Sequence, residues 1–471
     1  MNELLRLSLI ELAAKIARRV CSPVEVMEAV LARIDETHGD LNAVVALRDR
    51  ETLLAEARQA EKRAAEGQAR PLEGVPLGVK DLEDVAGLVT SNGSLPYKNN
   101  VASRDAVIVE RLKAAGAIVV GKTNTPEFGY TAITKNLVYG VTRSPWNLER
   151  TPGGSSGGSA AALTGCVLPL VTASDGGGSV RIPASFTGAF GLKPTYGRIP
   201  RGPLPLWYYG DTSVLGPLTK TVEDAALYLD QVAGASPYDP SSLPLPGLSY
   251  LAAVRQGLGQ KLRIGFSPDL GYAAVQSDIA AAVEDGARLF EKLGHRLEAV
   301  KGGPPQAGLE WGLLISFEIA AEIFPLLAEH EAEFGRGFLA GVKRAMTVTA
   351  ETWGRAARKR MAISEWCAET FERYDLLITP TVPFDPPPAQ GPFPEEVEGR
   401  KQPPAGVASF TIPFNFSGHP AATVRVGLSK AGLPMGLQIV GPRLREDLVL
   451  QAARAFEAER PWHPHWPESW K

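Results

Sequence analysis

The sequence predicts a single α/β domain built around a large β-sheet, and three observations carry that prediction. Short apolar runs alternate with helix-period patterns through residues 74–122. A second strand–helix series begins near residue 262 and ends in a hairpin pattern at 423–441, with no internal repeat anywhere. The 471 residues are 44% hydrophobic and 21% charged, an ordinary globular balance in a length that α/β enzymes often use as one unit.

Each element has its own local reason. The first 20 residues have an amphipathic period with Glu3 and Glu11 set into it, which predicts a first helix over 4–19 and not a signal peptide. Ser22 is an N-cap with Pro23 at the first helical position of a second helix. The charged run 48–66 predicts a third, so residues 1–66 read as a helical segment packed on the domain. GVPLGVK (74–80) and AIVVGK (117–122) read as buried strands with a helix over 105–115 between them. A helix over 159–166 and a strand over 168–174 follow. LRIGF (262–266) and YDLLITPTV (374–382) are further strands, and 278–293 and 446–457 are helices. The Pro-rich stretch 384–406 contains too many breakers for an element and reads as an irregular surface excursion.

Charge and cysteines exclude several classes. A net charge of −3 gives no electrostatic footing for nucleic acid or an anionic membrane, and no 18 apolar residues run uninterrupted. Cys21, Cys166 and Cys367 are odd in number and far apart, which suits a reducing cytoplasm and no disulfide framework. None has metal-ligand spacing with a histidine, so no metal site is expected.

The chemistry concentrates in two glycine–serine stretches. TPGGSSGGSAAALTG (151–165) places four glycines and three serines in seven positions, then enters an alanine-rich helix. Such a run, without low-complexity flanks, marks backbone that must approach something closely. VTASDGGGSVRIP (171–183) runs an apolar strand into three glycines and Ser179. A strand ending in a glycine turn aims successive N–H groups at one point, as an oxyanion requires, with Ser179 placed as a nucleophile. Gly153, Ser155 and Gly157 also satisfy the GxSxG elbow, but PWNLERTP upstream is no strand, and of six scattered histidines only His419 sits in a suitable loop. A lysine buried enough to be neutral is the alternative base; Lys80, Lys122 and Lys193 all qualify by local context.

Together, GVPLGVKDL, GKTNTPEFG, YGVTRSPWN, TPGGSSGGSAAA, SDGGGSVRIPA, GLKPTYGR and GLPMGLQIVGP resemble, in order and spacing, the amidase signature family of Ser–Ser–Lys serine hydrolases. The resemblance spans most of the chain and selects Lys80 over Lys122. It implies one domain over residues 1–471 with a large mixed, twisted β-sheet covered by helices. It further implies Ser179 as nucleophile, Ser155 as bridging serine and Lys80 as general base. The N–H groups of Gly176, Gly177, Gly178 and Ser179 would form the oxyanion hole, Asp175 and Arg181 would brace the turn, and the Gly154–Ser155 peptide would be cis. No cofactor is implied.

Two activities share this signature. One is a free-standing amidase cleaving a small-molecule amide; the other is the glutaminase component of the glutamyl-tRNA(Gln) amidotransferase, its A-type polypeptide. That component usually has an acidic residue shortly before an FTIP-like segment, where VASFTIP (407–413) has Ala408. The departure favours the free-standing amidase, expected as a cytoplasmic monomer or homodimer. Gly154, Trp207, Tyr208, Tyr209, Phe414 and Phe416 are the substrate-binding candidates, and the aromatic ones suit an apolar or aryl amide.

Overall fold

A capping box at Ser8 interrupts the first expected helix. Ser8 accepts from Glu11 N–H while the Glu11 carboxylate takes the Ser8 N–H, so a 3-10 turn Glu3–Arg6 precedes helix α1 (Leu9–Ala17). Ser22 and Glu25 repeat the device at the start of α2 (Pro23–Leu41), where Pro23 stands as expected. The computed structural model describes residues 2–203, 211–463 and 465–467.

The N-terminal segment is not purely helical. Between α2 and α3 (Arg50–Ala65), Val44–Leu47 forms strand β1 and pairs antiparallel with β3 (Ile118–Thr123). β3 runs parallel to β2 (Pro76–Lys80), and β2 to the short β4 (Leu170–Val171). The order of this four-stranded sheet is β1-β3-β2-β4. Every residue of β2 and β3 is buried, as expected of parallel strands covered on both faces.

A mixed seven-stranded sheet forms the larger body. Its strands are β5 (Phe190–Lys193), β6 (Leu218–Thr219), β7 (Arg263–Phe266), β8 (Arg296–Ala299), β9 (Leu376–Pro380), β10 (Ala421–Leu428) and β11 (Pro434–Val440). Their order is β6-β5-β10-β11-β9-β7-β8. β10 and β11 are the expected hairpin, while β7 lies parallel to both β8 and β9. The strand expected at 168–174 is two pieces: Val171 pairs with Gly78, and Ser174–Asp175 then pairs with Val214–Leu215 in a separate ribbon. That break carries the chain out of the first sheet and into the glycine turn.

The stretch 384–406 holds the two-stranded pairing of Glu396–Val397 with Arg400–Lys401 and a bridge of Pro388 to Arg150, in keeping with its proline content. It is not wholly a surface excursion, since Phe384, Ala389 and Val397 are buried. Residues 308–333 are long and apolar enough to cross a bilayer by composition. Pro325 interrupts them, so helix Gly308–Ile323 gives way to a 3-10 turn, Phe324–Leu326. Ile315, Ile319 and Ile323 of this helix pack with Phe128, Phe334 and Phe338 in a satellite cluster.

Candidate active site

Lys80 ends β2 with its side chain fully buried. Its Nζ lies 2.8 Å from Ser155 Oγ, 2.9 Å from Ser156 Oγ and 2.9 Å from Ser174 Oγ. Burial disfavours the ammonium and draws the amine down to about 8, against the opposing pull of Glu83 and Asp175. Lys122 pairs in register with Val79, not with Lys80, so strand alternation sends it to the opposite face. There it meets Thr90 Oγ1 at 3.0 Å, the Glu83 carbonyl and the Asp81 carboxylate at 3.9 Å. Lys193 donates to Pro194 C=O at 2.9 Å. Of the three candidate lysines, Lys80 alone has its amine against the serines.

The first glycine stretch is packed backbone. A Cβ on Gly154 would lie 2.8 Å from the Ala132 carbonyl carbon, and one on Gly158 would lie 2.3 Å from Asn124 N. The Gly154–Ser155 peptide is cis. Ser156 precedes the helix Gly157–Thr164 without a side-chain cap bond, and Thr125 Oγ1 donates to Ser155 C=O at 2.9 Å. Gly153–Gly158 is therefore held against residues 124–134, with Ser155 turned to the lysine.

The second stretch is oriented by its carbonyls. In a planar trans peptide, C=O and the next N–H point in opposite directions, so fixing one aims the other. Asp175 C=O accepts from Asn415 Nδ2 at 2.9 Å. Gly176 C=O accepts from Trp311 Nε1 at 2.9 Å and Thr212 Oγ1 at 3.1 Å. Gly177 C=O accepts from Thr411 Oγ1 at 2.6 Å. Among the described residues, the N–H groups of Gly176, Gly177 and Ser179 have no partner. Gly177 is buried while Gly176 and Ser179 are partly exposed, and three free donors of this kind in one turn can receive an anion.

Gly178 departs from the expectation. Its N–H donates to Asp175 Oδ1 at 2.7 Å, so it is committed to the turn and leaves three donors, not four. Asp175 and Arg181 are both fully buried and form a bidentate pair at 2.8 and 3.0 Å, extended through Gln438 and Asn415. Arg181 beside it holds the Asp175 carboxyl far below the usual carboxylate range despite burial. Both residues brace the turn.

Ser179 is partly exposed at the end of the turn. Its hydroxyl makes no hydrogen bond among the described residues, so Lys80 meets Ser155 while Ser155 and Ser179 are not joined. His419 contacts Ser417 and stacks on Phe371, 4.9 Å between centroids; burial and neighbouring cations push it down to about 3.

The aromatic candidates fare differently. Phe414 and Phe416 are buried, packed with Leu377, Ile412 and Val440. Trp207, Tyr208 and Tyr209 lie outside the described residues. Sequence reasoning missed Trp311, whose ring lies so close to Gly177 that a Cβ there would come within 2.4 Å of it. It also missed Ser156 and Ser174 as contacts of the lysine, although both stand in the glycine–serine motifs.

The amidase family pattern matches residues 25–450. The chain belongs to the amidase signature family. It is 38% identical to an acylamidase of Rhodococcus erythropolis over 97% of this chain and 96% of the relative. It is 34% identical to the A-type component of the glutamyl-tRNA(Gln) amidotransferase of Geobacter sp. (strain M21), over 98% and 99%. The crystal structure of a bacterial aryl acylamidase matches with a TM-score of 0.92 at 30% identity, covering 98% of this chain and 97% of that one. The protein is accordingly an amide-hydrolysing enzyme.

Proposed function

We propose that the enzyme cleaves a small apolar or aryl amide through an acyl-enzyme on Ser179, with Ser155 as proton bridge and Lys80 as base. The observation that carries this reading is the fully buried Lys80 amine, 2.8 Å from Ser155 Oγ. A neutral amine donates two hydrogen bonds and accepts one. Ser156 Oγ donates to Ser174 C=O at 3.3 Å, so toward Lys80 it accepts. With Ser174 Oγ as the second acceptor, the nitrogen lone pair is left to the Ser155 hydroxyl.

The steps follow. Lys80 takes the Ser155 proton as Ser155 takes the Ser179 proton, and Ser179 Oγ attacks the amide carbon. The Gly176, Gly177 and Ser179 amides receive the oxyanion, each such donor worth roughly 3–4 kcal/mol of barrier. Ser155 returns its proton to the leaving amine, and water cleaves the ester. The Ser155–Ser179 link forms once Ser179 turns from solvent toward the bridge, as catalytic hydrogen bonds often tighten only with substrate.

Trp311 beside Gly177 offers a flat apolar wall, and Ala408 leaves no charge for the ammonium of glutamine. Both favour an acylamidase-type substrate, in keeping with the relatives of that name. Labelling with a fluorophosphonate probe tests the nucleophile: Ser179→Ala abolishes it, and retained stoichiometric labelling refutes the assignment. Kinetics on anilides against glutamine test the substrate class. Glutamine turnover as efficient as that of anilides overturns it.

A further inference from the structure

Glu83 is buried in the turn leaving β2, where its N–H donates to Lys80 C=O at 2.9 Å. Thr172 Oγ1 donates to Glu83 Oε2 at 2.9 Å and accepts from the Lys80 N–H at 2.8 Å, so one hydroxyl ties the acid to the base-bearing residue. Glu83 also lines a mixed cavity of about 310 Å³ with Asp84, Arg201 and Glu322 among apolar residues such as Leu82 and Ile108. The site already described gives this acid no task.

Its neighbours define what the acid can do. Lys80 faces Glu83, Asp175 and Arg201; Glu83 faces Lys80, Lys122 and Arg201. Asp175 is neutralised by its bidentate pair with Arg181, and Asp81 lies 3.9 Å from Lys122. Glu83 is the acid that acts most strongly on Lys80, ahead of Asp175, although Lys122 and Arg201 also face it. We propose that Glu83 is a positioning residue for the proton of Lys80: its carboxylate sets the pH at which the amine becomes neutral. The two groups are not in contact: Lys80 Nζ meets three hydroxyls and Glu83 Oε2 meets Thr172, so the carboxylate acts on the amine through space. Burial supports this, since it raises the carboxyl and lowers the amine.

This inference rests on Lys80 as base, and the test separates the two. The rate of Ser179 labelling by a fluorophosphonate is followed against pH in wild type, Lys80→Ala, Glu83→Gln and Glu83→Asp. Glu83→Gln keeps an acceptor for Thr172 but removes the counter-charge, so the ammonium is less favoured. Its acidic limb moves toward lower pH by about one unit or more, with the plateau rate kept. Glu83→Asp returns the limb toward wild type. A limb that stays in place or moves to higher pH, whatever happens to the melting temperature, overturns the role of Glu83 alone. Full labelling by Lys80→Ala overturns the base and this inference together. Should Glu83→Gln not fold, Glu83→Met, of similar length and uncharged, gives the same reading.

Discussion

Lys80 and Lys122 stand near the ends of adjacent parallel strands, both wholly buried, both in a short apolar run ending in Gly-Val-Lys or Val-Gly-Lys. Strand alternation sends them to opposite faces. On one face Lys122 meets a carbonyl, a threonine and the Asp81 carboxylate. On the other, Lys80 meets three hydroxyls. The Asp81 carboxylate 3.9 Å away favours the charged form of Lys122, whereas hydroxyls satisfy either protonation state and leave Lys80 free to exchange a proton. The difference between a structural and a reactive lysine lies in these partners, not in burial.

Exchanging either lysine breaks the comparison. Lys80→Ala lowers the labelling rate and amide turnover by roughly 10³-fold, within the range for loss of a general base. Steady-state turnover and probe kinetics check this, and a loss below tenfold contradicts it. Lys122→Met leaves Asp81 buried without its cation and costs about 3–5 kcal/mol of stability. Denaturant unfolding measures that loss, while the folded variant labels Ser179 at the wild-type rate. A slowed rate in a stable Lys122→Met protein means that both lysines serve the chemistry.

A smaller effect sharpens the picture at the glycine turn. Trp311→Phe removes one of two donors holding Gly176 C=O, so Gly177 N–H is less firmly aimed. Labelling slows roughly three- to tenfold, the size of one net hydrogen bond, with little change in melting temperature. An unchanged rate shows that Thr212 alone fixes the turn.

What the sequence makes legible follows from distance along the chain. The glycine turn stands in a compact motif, where local spacing restricts what a residue can do. The Lys80–Ser155 contact spans 75 residues and, like the Asp175–Arg181 brace, is legible only through the family resemblance. The β10–β11 hairpin and the α2 cap are equally local. Gly178 reads as a free donor in the sequence because the rotation of one peptide toward Asp175 leaves no trace in composition. Phe414 and Phe416 cannot be told from pocket walls there, since IPFNF forms a five-residue helix whose faces are both buried. Trp311 reaches Gly176 from a helix far along the chain, and no local pattern marks such a contact. The break at Ser8 is readable from Ser8 and Glu11, but the continuous amphipathic period over 4–19 masks it.

The pH profile of Ser179 labelling in the wild-type protein, set beside that of Lys122→Met, tests the central claim most directly. A base drawn down to about 8 by burial gives a labelling rate that rises through that pH as the ammonium loses its proton, and Lys122→Met keeps that limb. A rate that is flat from pH 6 to 9, or a limb that vanishes when Lys122 is removed, contradicts the assignment of Lys80 as the base.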